Sequence, residues 1–212
     1  MTPAALKHLA AKDPVMRRLI RDFGPCELVP ETRRSPFQSL VLAVAHQQLH
    51  ATAANAILAR FKKLFPGRRF PRPEDLSSVS NDDLRGVGFS RAKILAIRDI
   101  AAKTLSGVVP TSRQIAKLSD DEIIERLTEV RGVGRWTVEM LLIFQLGRPD
   151  VLPADDFGVR TGFRLAYRQR ALPKPKELLA FGERWRPHRT TAAWYLWRAV
   201  EQRQERIVKP LI

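Results

Sequence analysis

The sequence predicts an all-α protein, and the first observation behind this class is the spacing of its apolar residues. Phe37, Leu40 and Val44 recur at intervals of three and four, which is the period of one face of a helix. A second run follows the same spacing between residues 54 and 61. The alternation of apolar and polar residues that is typical of half-buried strands is scarce, so we expect helices nearly throughout.

Helix-start signals are the second kind of observation. Ser80 precedes Asp83 by three residues, and Ser119 precedes Glu122 by the same interval. Side chains of these types at this spacing can each accept from the other residue's backbone N–H, which is the capping box of a helix start. Prolines and a glycine at 66–73 separate two helical runs, because proline cannot continue a helix.

Positive charge is the strongest compositional feature. The 212 residues include 37 Lys and Arg against 22 Asp and Glu, a formal net charge of +15. This excess favours a protein that binds nucleic acid over one that is merely basic, since each phosphate that the protein neutralises releases condensed counterions. No long uncharged apolar run occurs, and the first residues lack the apolar block of a signal peptide. We therefore expect neither a membrane-spanning helix nor secretion.

Cysteine and histidine usage argues against a metal cluster. Cys26 is the only cysteine, which excludes an intramolecular disulfide and a four-cysteine iron–sulfur cluster. His46 and His50 are four residues apart, but no third metal ligand accompanies them. We expect a reducing intracellular compartment.

One tetrapeptide, Arg-Gly-Val-Gly, occurs twice, at 85–88 and at 131–134. Each copy follows an acidic helix start and precedes another helical run, which predicts two helix-turn-helix units. For the first copy, the alternative that the motif is only a common tight turn stands equally.

The second copy has the features of a phosphate-binding hairpin. One helix is predicted to end near Val130 and another to begin near Arg135, with Gly132 and Gly134 between them. Glycine tolerates positive φ and lets the backbone approach another surface closely. Free amides at the start of the second helix then suit a phosphate group. Val133 can fill the space between the two helices.

A family resemblance becomes visible about twenty residues after this turn, at Leu-Pro-Ala-Asp-Asp-Phe-Gly-Val-Arg, residues 152–160. The glycine turn and this segment resemble the helix-hairpin-helix (HhH-GPD) DNA glycosylase superfamily, which includes endonuclease III and the 3-methyladenine DNA glycosylase II proteins. The resemblance covers roughly residues 35–200, and the 3-methyladenine DNA glycosylase II branch matches best. It is also carried by the segments 47–49, 88–93, 184–187 and 196–198.

This resemblance implies a two-lobed helical fold with the helix-hairpin-helix motif and an active site in the cleft between the lobes. The whole chain, 1–212, would form a single glycosylase unit. Its central lobe would span about 36–150 and include the hairpin at 120–146. The second lobe would combine the N-terminal segment with about 151–212.

The resemblance assigns the catalytic carboxylate to Asp156, the second of two adjacent acids. Breaking a glycosidic bond builds positive charge on the sugar, which a carboxylate can stabilise while it orients or deprotonates water. Asp155 is expected to cap or orient, and it is included among the residues of the base pocket. The alternative is that either acid is simply the N-cap of the next helix.

Aromatic residues are implied as walls of the base pocket by the same resemblance. Trp136 and Trp197 stand at these wall positions, and Met140 stands where some members have Tyr. An indole face attracts a cationic alkylated base and stacks on a flipped one. For Trp185 and Trp194 we prefer ordinary core packing.

Trp136 also occupies the position at which relatives that cut the DNA backbone carry a lysine. No amine is available there for a Schiff base, so we expect no lyase activity.

Three further sets of contacts are implied by position. Gln48 and Leu49 resemble residues that fill the gap left by an extruded base. The hairpin residues expected to bind DNA are Arg131, Gly132, Val133, Gly134, Arg135 and Thr137. The backbone carbonyls expected to hold a monovalent cation, Na⁺ or K⁺, are those of Thr128, Val130 and Val133. No other cofactor and no iron–sulfur cluster is expected.

The function implied is that of a monofunctional DNA glycosylase that removes alkylated purines of the 3-methyladenine type and starts base-excision repair. The alternatives are a related glycosylase for deaminated or oxidised bases, or a non-catalytic DNA-binding module. The expected partner is double-stranded DNA with damaged bases, bound by a monomer. We expect the protein in the cytoplasm with the nucleoid if it is bacterial, and in the nucleus if it is eukaryotic.

Overall fold

The computed structural model describes the backbone of residues 2–208 and the side chains of residues 2–203. Within the described residues all regular elements are helices, which confirms the predicted all-α class. Two of them are short 3-10 helices, Glu74–Ser78 and Glu183–Trp185. The α-helices are α1 (Pro3–Lys12), α2 (Pro14–Phe23), α3 (Pro36–His46), α4 (Ala51–Lys63), α5 (Asn81–Gly86), α6 (Arg91–Leu105), α7 (Ser112–Ile115), α8 (Asp120–Thr128), α9 (Arg135–Phe144), α10 (Phe157–Ala166), α11 (Pro175–Gly182) and α12 (Arg189–Val208).

The chain divides into two compact units. The central unit is Thr32–Leu141, and the terminal unit combines Met1–Glu31 with Leu142–Ile212. Helix α9 therefore begins in the central unit and ends in the terminal unit. The lobe boundary near residue 150 stays a prediction.

Local signals in the central unit form as the sequence predicts. Ser80 caps α5 and Ser119 caps α8, each in a reciprocal capping box with the acid three residues later. Such a cap stabilises a helix by about 1 kcal/mol, because it satisfies N–H groups that have no partner within the helix. In the core of this unit, aromatic rings pack around Phe61. The centroid of its ring lies 5.3 Å from that of Phe65 and 5.4 Å from that of Phe89.

The terminal unit is tied together by the buried carboxylate of Asp13. Its Oδ1 accepts from the backbone N–H of Val15 at 2.9 Å, which caps α2. Its Oδ2 accepts from the Trp185 indole N–H at 2.9 Å and from the Tyr167 hydroxyl. Burial and the nearby Asp13 carboxylate raise the pKa of the Tyr167 hydroxyl, which keeps this group protonated as a donor. These bonds join the N-terminal helices to the C-terminal part of the unit.

Helices α10 and α12 approach each other closely at a glycine. A Cβ at Gly162 would lie 2.0 Å from the carbonyl oxygen of Leu196, so no larger residue fits this crossing without a backbone shift. This contact sets the distance between the helix that follows Asp156 and the helix that carries Trp197.

Among residues 2–208, none of the helices has the length and apolar character needed to cross a bilayer.

Candidate active site and nucleic-acid interface

The hairpin at 131–134 has the geometry that its glycines predict. Helix α8 ends at Thr128 and α9 begins at Arg135, which agrees closely with the predicted boundaries. Gly132 has φ +76°, a conformation that L side chains rarely adopt, and its Cβ would lie 3.1 Å from that of Ala96. Val133 is buried, and its place between the two helices stays a prediction.

The two Arg-Gly-Val-Gly copies both join helices, but their backbones differ. In the first copy Gly86 is the last residue of α5, and Gly88 takes the positive φ of +108°. A Cβ at Gly88 would lie 3.0 Å from Ile57, and the Arg60 guanidinium donates to the carbonyl of Val87 at 2.9 Å. The first turn is therefore packed against α4, whereas a Cβ at Gly134 of the second turn would meet no described atom within 4 Å.

The charged and polar residues of the hairpin lie at different depths. Arg131 is exposed, and its backbone N–H donates to Asp99 Oδ2 at 2.7 Å. The Arg135 guanidinium is exposed and forms an ion pair with Glu139 at 3.0 Å. Thr137, in contrast, is buried.

The loop at 47–49 is joined to this hairpin. Gln47 Nε2 donates to the carbonyl of Gly132 at 3.0 Å. Gln48 and Leu49 are exposed, and Gln48 has φ +57°, which a non-glycine residue holds only when its surroundings impose it. The loop that carries the predicted gap-filling residues is thus bonded to the hairpin within the central unit.

The aromatic residues expected in the base pocket belong to two units. Trp136 lies in the central unit with 46% of its surface exposed, and Met140 lies one turn later, half-buried. Trp197 lies in the terminal unit with Asp155 and Asp156.

Asp156 is held by two hydrogen bonds to one of its oxygens. It is the N-cap of α10, and its Oδ1 accepts from the backbone N–H of Val159 at 2.8 Å. The same Oδ1 accepts from the Trp197 indole N–H at 2.8 Å. The carboxylate is nearly buried, and two donors from different helices fix its orientation.

Of the two roles expected for Asp155, capping and orienting, the structure gives the cap of α10 to Asp156. Asp156 has the extended backbone of an N-cap, with φ −64° and ψ 124°, and its own carboxylate makes the capping bond. Asp155 is exposed instead. The candidate catalytic carboxylate and the helix cap are therefore the same group.

Three residues near Asp156 were missed by the sequence interpretation. Phe144 stacks on Trp197 with ring centroids 5.6 Å apart, and Phe157 is 68% exposed directly after Asp156. A Cβ at Gly158 would lie 2.9 Å from Trp197 Cδ1, so glycine is needed for the indole to reach the carboxylate. The signal that could have identified Gly158 is its spacing of four from the helix-crossing Gly162.

The backbone carbonyls expected to hold a cation lie at the end of α8 and in the turn that follows it. Helix α8 ends at Thr128, and the last carbonyls of a helix lack partners within it, which suits an oxygen-ligated cation. The Val130 carbonyl already accepts from the Val133 N–H at 3.0 Å, and its second lone pair can serve an ion. Among the described residues, no three His, Cys, Asp or Glu side chains are grouped as metal ligands.

Comparisons with known proteins extend these observations. The HhH-GPD superfamily of base excision DNA repair proteins matches residues 41–187. DNA-3-methyladenine glycosylase 1 of Schizosaccharomyces pombe is 43% identical over 194 residues, which cover 90% of this chain and 84% of that protein.

Two solved structures are similar over nearly the whole chain. The S. pombe 3-methyladenine DNA glycosylase in complex with abasic DNA is 44% identical, with a TM-score of 0.81 over 92% of this chain and 95% of that chain. A DNA-3-methyladenine glycosidase from Bacillus halodurans is 35% identical, with a TM-score of 0.86 over 96% of this chain and 92% of that chain. The chain therefore belongs to the HhH-GPD superfamily of base excision DNA repair proteins.

Proposed function

We propose that this protein is a DNA glycosylase that hydrolyses the N-glycosidic bond of alkylated purines in duplex DNA and so initiates base-excision repair. The observation that carries the proposal is the Asp156 carboxylate, held by the Trp197 indole N–H at 2.8 Å and by the start of α10. The names of the similar proteins, DNA-3-methyladenine glycosylases, support the same substrate class.

The chemistry of this site suits a cationic leaving group. A purine alkylated at N3 or N7 already carries positive charge, so it departs without a strong general acid. The sugar then becomes an oxocarbenium-like cation, which the negative charge of Asp156 stabilises, and the same carboxylate can orient the attacking water. Exposed aromatic rings at Phe157 and Trp136 can stack on a base or attract its charge. Trp136, Met140 and Asp155 stay proposed contacts of that base.

Duplex DNA is the proposed partner, bound by a monomer through the hairpin. The open turn at Gly134 and the exposed Arg131 supply the amide and the charge that a phosphate needs. The carbonyls of Thr128, Val130 and Val133 would hold a monovalent cation there, which would add positive charge opposite a phosphate. With DNA as partner, the protein would act in the nucleoid of a bacterium or the nucleus of a eukaryote.

The absence of lyase chemistry is part of the proposal. Trp136 has no amine with which to attack the sugar, so the product would be an abasic site in an unbroken strand. The experiment is a base-release assay on methylated duplex DNA, with the free base identified by chromatography and the strand followed on a denaturing gel. Strand cleavage without an alkali treatment would contradict a monofunctional enzyme.

Asp156→Asn is the decisive variant in this assay. It keeps the size of the side chain and an oxygen for the Val159 N–H, but it removes the charge that stabilises the sugar cation. We expect base release to fall by about 100-fold or more, with DNA binding retained. Asp22→Asn is the matched control, because it makes the same change at an exposed carboxylate of the terminal unit to which no role is assigned. Release by Asp156→Asn at the unmodified rate would refute the catalytic assignment.

A further inference from the structure

Helix α6 contacts two functional segments of the central unit from a single face. Lys93, Ala96, Asp99 and Lys103 are spaced by three, three and four residues, which aligns them along one side of a helix. Lys93 contacts the end of α3, next to the loop at 47–49, and the other three contact the hairpin. None of these four residues was assigned a role above.

Lys93 holds the chain directly before Gln48. Its Nζ donates to the carbonyl of Ala45 at 2.9 Å and to that of Gln47 at 2.8 Å. These carbonyls lie at the C-terminal end of α3, where unpartnered acceptors and the helix dipole both favour a cation. Burial lowers the pKa of Lys93, which indicates that the ammonium has given up part of its hydration for these bonds.

The same face of α6 holds the hairpin. Asp99 Oδ2 accepts from the Arg131 N–H at 2.7 Å, and Lys103 Nζ donates to the carbonyl of Glu129. Ala96 lies beneath Gly132, where any Cβ would come within 3.1 Å of its own. The hairpin backbone is thus fixed relative to α6 before and within the glycine turn.

Gln47 closes the connection between the two segments. Its carbonyl accepts from Lys93, and its Nε2 donates to the carbonyl of Gly132 at 3.0 Å. The next residue, Gln48, has a positive φ of 57°, a conformation that persists only when the surrounding chain is held in place. The bonds from Lys93 to the carbonyls of Ala45 and Gln47, and the bond from Gln47 to Gly132, hold the chain directly before Gln48.

We propose that Lys93 is a positioning residue, which fixes the loop at 47–49 against the phosphate-binding hairpin so that extrusion of a base is efficient. This inference rests on the proposed glycosylase function. With the ammonium removed, the loop would no longer stand at a fixed distance from the anchored phosphate. Gln48 and Leu49 would then fill the space of the extruded base less completely, and the chemical step at Asp156 would be unaffected.

The test compares two duplexes that differ in how strongly the target base is held. Each carries one 7-methylguanine, opposite cytosine in the first and opposite an abasic site in the second, where extrusion costs less. Lys93→Met removes the charge and keeps the length of the side chain. We expect single-turnover base release to fall about 10-fold or more on the paired duplex and less than about 3-fold on the other. The reason is that extrusion from the paired duplex breaks a base pair, and the gap-filling loop must offset that cost.

Control variants separate positioning from charge and from folding. Lys117→Met removes one exposed positive charge from the same unit, and we expect similar small effects on both duplexes. Lys93→Arg keeps a cation that can donate to both carbonyls and should restore much of the rate. Gln47→Leu removes the bond to Gly132 and should show the same dependence on the duplex, which keeps the test valid if Lys93→Met folds poorly.

The outcomes distinguish this inference from the function on which it rests. An equal loss on both duplexes, or no loss on either, for both Lys93→Met and Gln47→Leu would overturn the positioning role. Failure of the unmodified protein to release any base from either duplex would instead overturn the proposed glycosylase function.

Discussion

At the scale of single residues, Asp156 combines two requirements that usually fall on different side chains. It caps α10 and it is the candidate catalytic carboxylate, and one oxygen accepts both described bonds. A helix N-terminus favours acceptor groups and negative charge, so the position that capping demands also suits a carboxylate. The second bond comes from Trp197, which gives this indole a contact with the carboxylate besides the base-pocket wall proposed for it.

Trp197→Phe tests this role. Phenylalanine keeps an aromatic ring that can stack on Phe144, but it lacks the N–H that reaches Asp156. Hydrogen bonds to charged groups contribute about 1.5–3 kcal/mol, so we expect the rate of base release to fall by about 10- to 100-fold.

The measurement is single-turnover base release, with the circular dichroism spectrum as a check on folding. Trp194→Phe is the matched control on the same helix, because the described ring contacts of Trp194 are with Tyr195 and Arg198. Equal rates for Trp197→Phe and the unmodified protein would show that the indole N–H does not support the carboxylate.

At the scale of elements, the site depends on how closely α10 and α12 pack. Gly158 and Gly162 lie one turn apart on α10, and both meet atoms of α12 at distances that exclude a Cβ. The first admits the Trp197 indole, and the second admits the backbone at Leu196. The two glycines therefore let the helix with the cap and the helix with the indole share a hydrogen bond.

Gly162→Ala should destabilise the protein. Alanine favours a helix interior by about 1 kcal/mol over glycine, but a Cβ here would lie 2.0 Å from a carbonyl oxygen that cannot turn aside. Forcing an extra carbon into a packed contact costs about 1–3 kcal/mol or more, so the steric cost exceeds the gain in helix propensity.

Thermal unfolding measures this effect, and we expect the Tm to fall by several degrees. Gly86→Ala is the control, since Gly86 ends α5 and a Cβ there meets no described atom within 4 Å. Its Tm should stay the same or rise slightly. A Tm for Gly162→Ala at or above that of the unmodified protein would mean that the two helices separate without cost.

Elements differ in how far the sequence could predict them, and the difference follows the range of the interactions. The caps at Ser80 and Ser119 depend on residues three apart, so both were predicted. The identical turns at 85–88 and 131–134 took different backbones because distant neighbours differ, Ile57 and Arg60 for the first.

The candidate site was predictable only in part for the same reason. The sequence pointed to Asp156 through the motif around it, but the bond from Trp197 joins residues 41 positions apart. The contacts of Lys93 with the end of α3 span 46 and 48 positions, and no local pattern reports them.

At the scale of the whole molecule, the net charge of +15 sets the expected binding behaviour. Binding to a polyanion releases counterions, so its affinity falls with salt in proportion to the number of phosphates neutralised. For a protein that makes several such contacts, a loss of about 10³-fold between about 50 and 200 mM salt is expected. Net charge alone does not show which cations make these contacts.

Arg131→Ala assigns one of these contacts to the hairpin. The Arg131 backbone N–H, which donates to Asp99, remains in the alanine variant, so the turn keeps its anchor and only the exposed charge is lost. We expect weaker binding to abasic-site DNA and a log–log salt dependence that is shallower by about one, the signature of one lost phosphate contact. Fluorescence anisotropy across a salt series measures both quantities. Lys117→Met lowers the net charge equally at an exposed position outside the turn at 131–134, and its slope should match that of the unmodified protein. If the two variants have equal slopes, the affinity arises from diffuse charge and not from a phosphate bound at the glycine turn.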